Sequence, residues 1–305
     1  MKSVLVLLST YNGSRYLQEQ IDSVLNQDGV KVVLLIRDDG STDNTLEILD
    51  RNSLNHDNIF VITGPNCRSA ASFMELVYEA NRTYPDFDYY AFCDQDDVWC
   101  KDKLISAVNK LSESPDDTPS LYIGAYQMVD LNLNKIETHI TTPLLDVESA
   151  ISSNAATGCT MVFNRQLLSL VAAKKPTDFI MHDYWVYMVC LLCGGFVVYD
   201  SVPHILYRQH GHNVIGGLGD SFFKRWITRI NKVFCSGDRY KSKLASQLLS
   251  CYSGLMSHDD KRFLEYVSTC SRFSSRFRLI CNKKLLGRTF DKQMQMAGLI
   301  ITGKL

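Results

Sequence analysis

The chain predicts an α/β fold with a mostly parallel central sheet flanked by helices. Short apolar runs alternate with helical patterns at βαβ spacing, and a polar loop follows each run. The first run, residues 3–8, ends in Ser9-Thr10-Tyr11-Asn12-Gly13, and Leu17, Ile21, Val24 and Leu25 then fall at helical spacing. The second run, 32–36, stops at Arg37-Asp38-Asp39-Gly40-Ser41-Thr42-Asp43, with a helix predicted over 44–50. Asp38 and Asp43 have the residue type and position for turn formation and helix capping. A third strand at 59–63 leads through a loop over 64–72 into an amphipathic helix ending near Asn81. The fourth, Tyr89-Tyr90-Ala91-Phe92-Cys93, stops at Asp94-Gln95-Asp96-Asp97, ahead of a helix over 101–111 for which Asp97 would be the N-cap. Farther on, a strand is expected at 161–163, and the apolar stretch 186–199 reads as a core helix passing into a strand. Each polar loop follows a strand's carboxyl end, the edge at which open α/β sheets hold ligands.

Asp94 and Asp96 are two residues apart and would point to one side of an extended backbone. Adjacent carboxylates repel unless a cation lies between them. Hard ions such as Mg²⁺ or Mn²⁺ prefer oxygen ligands, and substrate phosphates commonly complete the Mg²⁺ shell. The competing reading is an acidic loop that only caps the next helix.

Thr10-Tyr11-Asn12, Asp38-Asp39-Gly40-Ser41-Thr42-Asp43 and Asp94-Gln95-Asp96-Asp97 with Trp99 together resemble the successive signatures of family 2 glycosyltransferases, which have the GT-A fold. His182-Asp183-Tyr184-Trp185 and Tyr207-Arg208-Gln209-His210-Gly211-His212-Asn213 resemble the bacterial rhamnosyltransferases of surface-polysaccharide synthesis (O-antigen or capsule type). The resemblance covers residues 1–216, and Arg68 stands where relatives tend to have Gly. It implies that Thr10, Tyr11 and Asn12 line the base and ribose, that Asp39 accepts a hydrogen bond from the pyrimidine N–H, and that Asp94 serves both nucleotide and metal. Asp96 and His210 would complete the metal set, with His212 the rival within the same loop and Arg208 paired with phosphate. Trp99, Gly158, Cys159, His182 and Trp185 would face the donor or acceptor sugar. Asp183 would be the general base of an inverting transfer, its pKa raised by burial while His182 holds it ionised, and a helix N-cap is its structural alternative. The implied donor is dTDP-L-rhamnose and the implied acceptor a glycan, free or polyprenyl-linked. Alternatives are a UDP-galactose or UDP-glucose transferase, a nucleotidyltransferase, for which a Gly-rich first loop is missing, and a non-catalytic sugar-nucleotide binder.

At 305 residues and 46% hydrophobic, the chain can bury a full core, and it divides into a catalytic domain at 1–219 and a basic, mainly helical extension at 220–305. No apolar stretch reaches the length of a membrane span, and the first eight residues are too short for a signal peptide, so a cytoplasmic location is expected. Ten cysteines without a spaced framework suit a reducing compartment, and Cys190 and Cys193 read as buried small hydrophobes. The net charge of −1 conceals a division: residues 220–305 carry 17 Lys/Arg against 6 Asp/Glu. Phe222, Phe223, Trp226, Ile227 and Ile230 beside Lys224, Arg225, Arg229 and Lys232 describe a basic amphipathic helix suited to the inner face of an anionic membrane. Arg272, Arg276, Arg278, Lys283, Lys284 and Arg288 continue the pattern, and the alternative is an appendage packed on its own domain. Nucleic acid is not an expected partner, since the tail has no recognisable module and an acidic cleft would repel a polyanion.

Overall fold

The computed structural model describes residues 1–141, 143–177, 181–209, 239–287 and 289–305. Its centre is a seven-stranded sheet built from β1 (Lys2–Thr10), β2 (Val30–Asp38), β3 (Ile59–Thr63), β4 (Tyr89–Cys93), β6 (Ser120–Gly124), β9 (Val162–Asn164) and β10 (Phe196–Asp200), in the order β10-β6-β9-β4-β1-β2-β3. All pairings are parallel except those of β9, which runs against both β4 and β6. A smaller sheet, β5 (Val98–Trp99), β11 (Ile205–Arg208), β7 (Tyr126–Val129) and β8 (Lys135–His139), stands beside it.

The period of two in the strands divides the core. Leu5, Leu7, Leu35, Tyr90 and Phe92 face one apolar layer, and Val4, Val6, Leu8, Leu34, Ile36 and Ala91 face the other. The second layer is closed by α1 (Leu17–Leu25), α2 (Thr45–Asn55) and α4 (Lys103–Leu111), through Leu17, Ile21, Leu49, Leu104 and Val108. The first is closed by α3 (Ser69–Thr83), α5 (Val147–Ser152), α6 (Arg165–Ala172) and α7 (His182–Leu192). Both faces of the sheet are therefore buried, as a parallel sheet requires.

Among the described residues five more helices follow: α8 (Tyr240–Tyr252), α9 (His258–Ser268), α10 (Phe273–Ile280), α11 (Lys283–Leu286) and α12 (Phe290–Thr302). Their Leu244, Leu248, Tyr252, Leu264, Val267, Leu285 and Ile300 belong to the same apolar cluster as Leu5 and Leu7 of β1. Residues 239–305 are thus built into the core of the catalytic fold. The amphipathic segment at 222–232 lies outside the described residues. Among the described residues no helix is long and apolar enough to cross a membrane, and every cysteine is a free thiol.

Two elements differ from expectation. Val98 and Trp99 pair with Leu206 and Ile205, so α4 begins at Lys103 and Asp97 is not its N-cap. Helix α2 continues to Asn55, because Asn52, on the inward face, exchanges hydrogen bonds with Gln18 of α1.

Candidate active site

Strand register brings the polar loops together. Thr10 is opposite Asp38, Asp38 opposite Thr63, and Leu8 opposite Cys93, so β1 to β4 end at one level and their loops share one edge.

The first two loops are stitched to each other. Asn12, at φ 48°, accepts from Thr42 N–H through Oδ1 (2.8 Å), and its own N–H donates to Ser41 Oγ (2.9 Å). Its side chain is a brace between loops, while the Tyr11 ring, 46% exposed, is open for stacking. Gln95, a residue sequence reasoning left without a role, clamps the first loop to the acidic one. Its Oε1 accepts from Thr10 Oγ1 (2.7 Å) and Tyr11 N–H (2.9 Å), and its Nε2 donates to the Tyr11 carbonyl (3.1 Å). A Cβ on Gly13 would stand 2.2 Å from that Oε1, so a side chain there would push the Gln95 amide off its bonds to the first loop.

The acids of the second loop have separate tasks. Asp38 accepts from Gly40 and Ser41 N–H and makes the turn. Asp43 accepts from Thr45 N–H at the start of α2 and from Ser14 N–H; burial opposes its charge, but these bonds, with that of the Thr45 hydroxyl, win and hold it down at about 2. Asp39 is buried beside Arg37 and Cys67, accepting from the Arg37 guanidinium, the Cys67 N–H (2.9 Å) and the Cys67 thiol (3.2 Å). Burial pushes its pKa up, and the contacts with Cys67 and Arg37 outweigh that and lower it. All three use Oδ1, and Oδ2 takes no part in them.

Beyond β4 the carboxylates crowd. Burial first, then the charges of Asp96 and Asp183, raise Asp94 to about 7. Asp97 is pushed well above its ordinary value by burial and by Asp96 and Asp94, although it accepts from Arg208 N–H (3.2 Å) and from the Cys159 thiol. Ligand atoms of Asp94, Asp97 and Cys159 lie within 4.8 Å of one another. Two carboxyl groups and a thiol held this close form a donor set for a divalent ion, and the charge of Asp96 acting on Asp94 puts a third carboxylate near it, so that Asp94 could share an ion with Asp96 or Asp97. His210, the expected third ligand, lies outside the described residues.

Asp183 is in the first turn of α7, 3% exposed, and accepts from Tyr184 N–H (2.6 Å) and from Gly158 N–H. Burial raises its pKa to about 6 against those donors. The N-cap position belongs to Met181, so Asp183 is not the cap. Gly158, in a 3-10 turn over Gly158–Thr160, must lack a side chain: its Cβ would meet His182 Nε2 at 2.8 Å.

Five expectations change. His182 is a neutral ring stacked on Phe73 (4.0 Å between centroids) and edge-on to Phe92, with burial lowering its pKa to about 3, so it cannot hold Asp183 ionised by charge. Trp185 is two positions from Asp183, about 200° around the helix, and packs on Tyr252 of α8 in the core rather than facing a sugar. Trp99 is 3% exposed, in the core beneath the Lys103 ammonium, 3.6 Å from its ring centre. Cys159 lies under the acidic loop with its thiol on Asp97, not toward a sugar. Arg208 is not set for phosphate. Its Nε donates to the Asp96 carbonyl (3.0 Å), Nη1 to the Leu131 carbonyl (2.8 Å) and Nη2 to Glu19 (2.5 Å), with Tyr16 stacked on the guanidinium.

Lys103 was also missed by sequence reasoning. Burial lowers its pKa to about 8, while Cys93, Cys159 and Asp97 favour its charge, so it is an internal cation behind the acidic loop. Nothing in an amphipathic helix pattern distinguishes it from a surface lysine.

Residues 5–171 match the family described as Glycosyl transferase family 2. The chain belongs to that family. Among curated relatives, this family 2 transferase is 29% identical over 220 residues to the dTDP-rhamnosyl transferase RfbG of Shigella flexneri, covering 68% of this chain and 73% of the relative. It is 34% identical to the putative teichuronic acid biosynthesis glycosyltransferase TuaG of Bacillus subtilis, covering 73% and 86%. In fold it is similar to S. aureus TarS 1-349 in complex with UDP-GlcNAc, at a TM-score of 0.55 and 15% identity, over 98% of this chain and 90% of that one. The GT-A architecture and glycosyl transfer as the reaction class follow.

Proposed function

We propose that this glycosyltransferase is inverting and metal-dependent, and moves L-rhamnose from dTDP-L-rhamnose onto a growing or lipid-linked glycan of a bacterial surface polysaccharide, at the cytoplasmic face of the membrane. The observation that carries the reading is the meeting of Asp183, at about 6, with Asp94 at the end of β4. A group with that pKa is largely ionised at neutral pH yet basic enough to take a hydroxyl proton.

Tyr11 supplies a ring for the base, and Asp39 Oδ2 an acceptor for its N–H. Asp183 accepts the proton of the acceptor hydroxyl as that oxygen attacks the anomeric carbon opposite the leaving diphosphate. A single carboxylate suffices for this displacement, without a covalent sugar intermediate. A divalent ion, Mg²⁺ or Mn²⁺, bound at Asp94 and Asp96 would offset the charge of the departing diphosphate. His210 remains the proposed further ligand. Burial of Asp183, 3% exposed, limits the access of water to the base.

Support for rhamnose comes from the likeness to the Shigella dTDP-rhamnosyl transferase. Support for a lipid-linked acceptor comes from a 27% identical Escherichia coli relative named for transfer of glucose to α-D-GlcNAc-diphosphoundecaprenol, which also keeps UDP-glucose as the second donor reading. Incubation with a panel of nucleotide sugars, with and without Mn²⁺, tests the proposal. Metal-dependent release of dTDP from dTDP-L-rhamnose is expected, and preferential turnover of UDP-glucose would replace the donor assignment.

A further inference from the structure

We propose that the outward faces of α10 and α12 dock this enzyme on an anionic lipid bilayer. Helix α12 buries Met296, Leu299 and Ile300, and its outer side should therefore be polar. Instead Phe290, Met294 and Ile301 are 72%, 55% and 64% exposed, and the helical period puts all three within an arc of about 40°. Helix α10 repeats the arrangement: Leu279 is buried, while Phe273 and Phe277, one turn apart, are 83% and 65% exposed. Arg276 ties the helices together by donating to the Ile301 carbonyl (2.9 Å) as well as to Cys270 (3.0 Å) and Ser271 (2.9 Å). Two neighbouring helices thus carry outward stripes of large apolar side chains, an arrangement that marks an interaction surface.

Charge selects the occupant. Residues 266–305 hold eight Lys/Arg against the single acid Asp291; Arg272 and Arg278 are exposed about 100° around α10 from its apolar stripe, and Lys283 of α11 is exposed as well. A second copy of this chain would set one cationic surface against another. A bilayer with acidic headgroups matches both parts, receiving the aromatic rings at its interface and the cations at its phosphates. The surface takes its cations from the later basic segments that sequence set beside 222–232, and its apolar stripes are what the helices add. It deepens the proposed function, because a lipid-linked acceptor requires the enzyme at a bilayer.

The test is flotation of the full chain with vesicles of phosphatidylcholine alone or mixed with phosphatidylglycerol. The parent should float only with the acidic lipid, and less as salt rises. Phe273→Ser/Phe277→Ser/Phe290→Ser should weaken that binding by at least about ten-fold, with an unchanged Tm, since the three rings are exposed. Arg278→Glu/Lys283→Glu should weaken it as well, and neither variant should alter donor turnover in lipid-free buffer. Flotation of the triple variant equal to that of the parent, or no flotation of the parent, would overturn the proposal. So would sedimentation showing that the parent self-associates and the triple variant does not. Donor turnover without flotation would remove only the docking surface, and flotation without donor turnover would remove only the enzymatic reading.

Discussion

Asp183 is a carboxylate under opposed forces: the Tyr184 and Gly158 N–H groups favour its charge, and burial disfavours it more, raising it to about 6. Its base form is present above that pH, so kcat/KM should fall as pH drops below about 6, which a pH–rate profile would show. Asp183→Asn should lower the transfer rate by roughly 10² to 10⁴ with nucleotide affinity nearly unchanged; a rate within a few-fold of the parent would remove the assignment. Linkage gives a second expectation. Because the folded pKa lies above the unfolded one, stability declines as pH rises from about 4 through 6, and the neutral amide avoids that loss. Asp183→Asn should therefore be more stable than the parent at pH 7, by on the order of 1–2 kcal/mol in urea unfolding. Arg208 has the reverse character: its three nitrogens hold the acidic loop, the β7 end and α1 together. Arg208→Ala should cost about 1–3 kcal/mol, because it removes a buried guanidinium and its bonds to the Asp96 and Leu131 carbonyls, while Glu19 is half-exposed and can turn to solvent.

At the scale of elements, the turn at Gly158 and the start of α7 are fitted to each other. Gly158→Ala should destabilise by about 1–3 kcal/mol through contact with His182, and pairing it with His182→Ala should cost less than the sum of the two changes, a coupling that a double-mutant cycle measures. Arg68 precedes α3 at φ 71° and ψ 156°, a region nearly restricted to glycine, which gives a physical reason for the Gly expected there. Arg68→Gly should raise stability by about 1 kcal/mol in thermal unfolding. These elements also show what the sequence could reveal. Strands β1 to β4 and the order of the loops were legible because the apolar runs are continuous and end abruptly in polar residues. The turns at Asp38 and Asp43 were legible because such residues act on the backbone next to them, although the N-cap of α2 is Asn44. The tasks of Trp185, Cys159 and Arg208 were not, because each depends on a partner far along the chain: Tyr252 meets Trp185, Asp97 meets Cys159 and Glu19 meets Arg208. A motif places a residue near a site without saying which way its side chain points.

For the whole molecule, the two poles of charge and the single core make different demands on the C-terminal helices. Cations such as Arg272, Arg278, Lys283 and Lys284 are exposed, while Leu244, Leu248, Tyr252 and Leu264 complete the apolar layer beneath the sheet. A 1–238 fragment should therefore expose that layer and aggregate or melt well below the full chain in light-scattering and thermal assays, and a soluble, fully stable fragment would separate the extension from the core. The same shared core bears on biosynthesis. Synthesis is vectorial, and domains generally fold as their residues emerge from the ribosome. Here β1 shares its apolar layer with helices made more than two hundred residues later, so the nascent chain carries an open hydrophobic face until those helices have emerged. Folding is tied to the emergence of α8 to α12, and a ribosome stalled before α8 would hold a product whose exposed core invites chaperone binding or degradation.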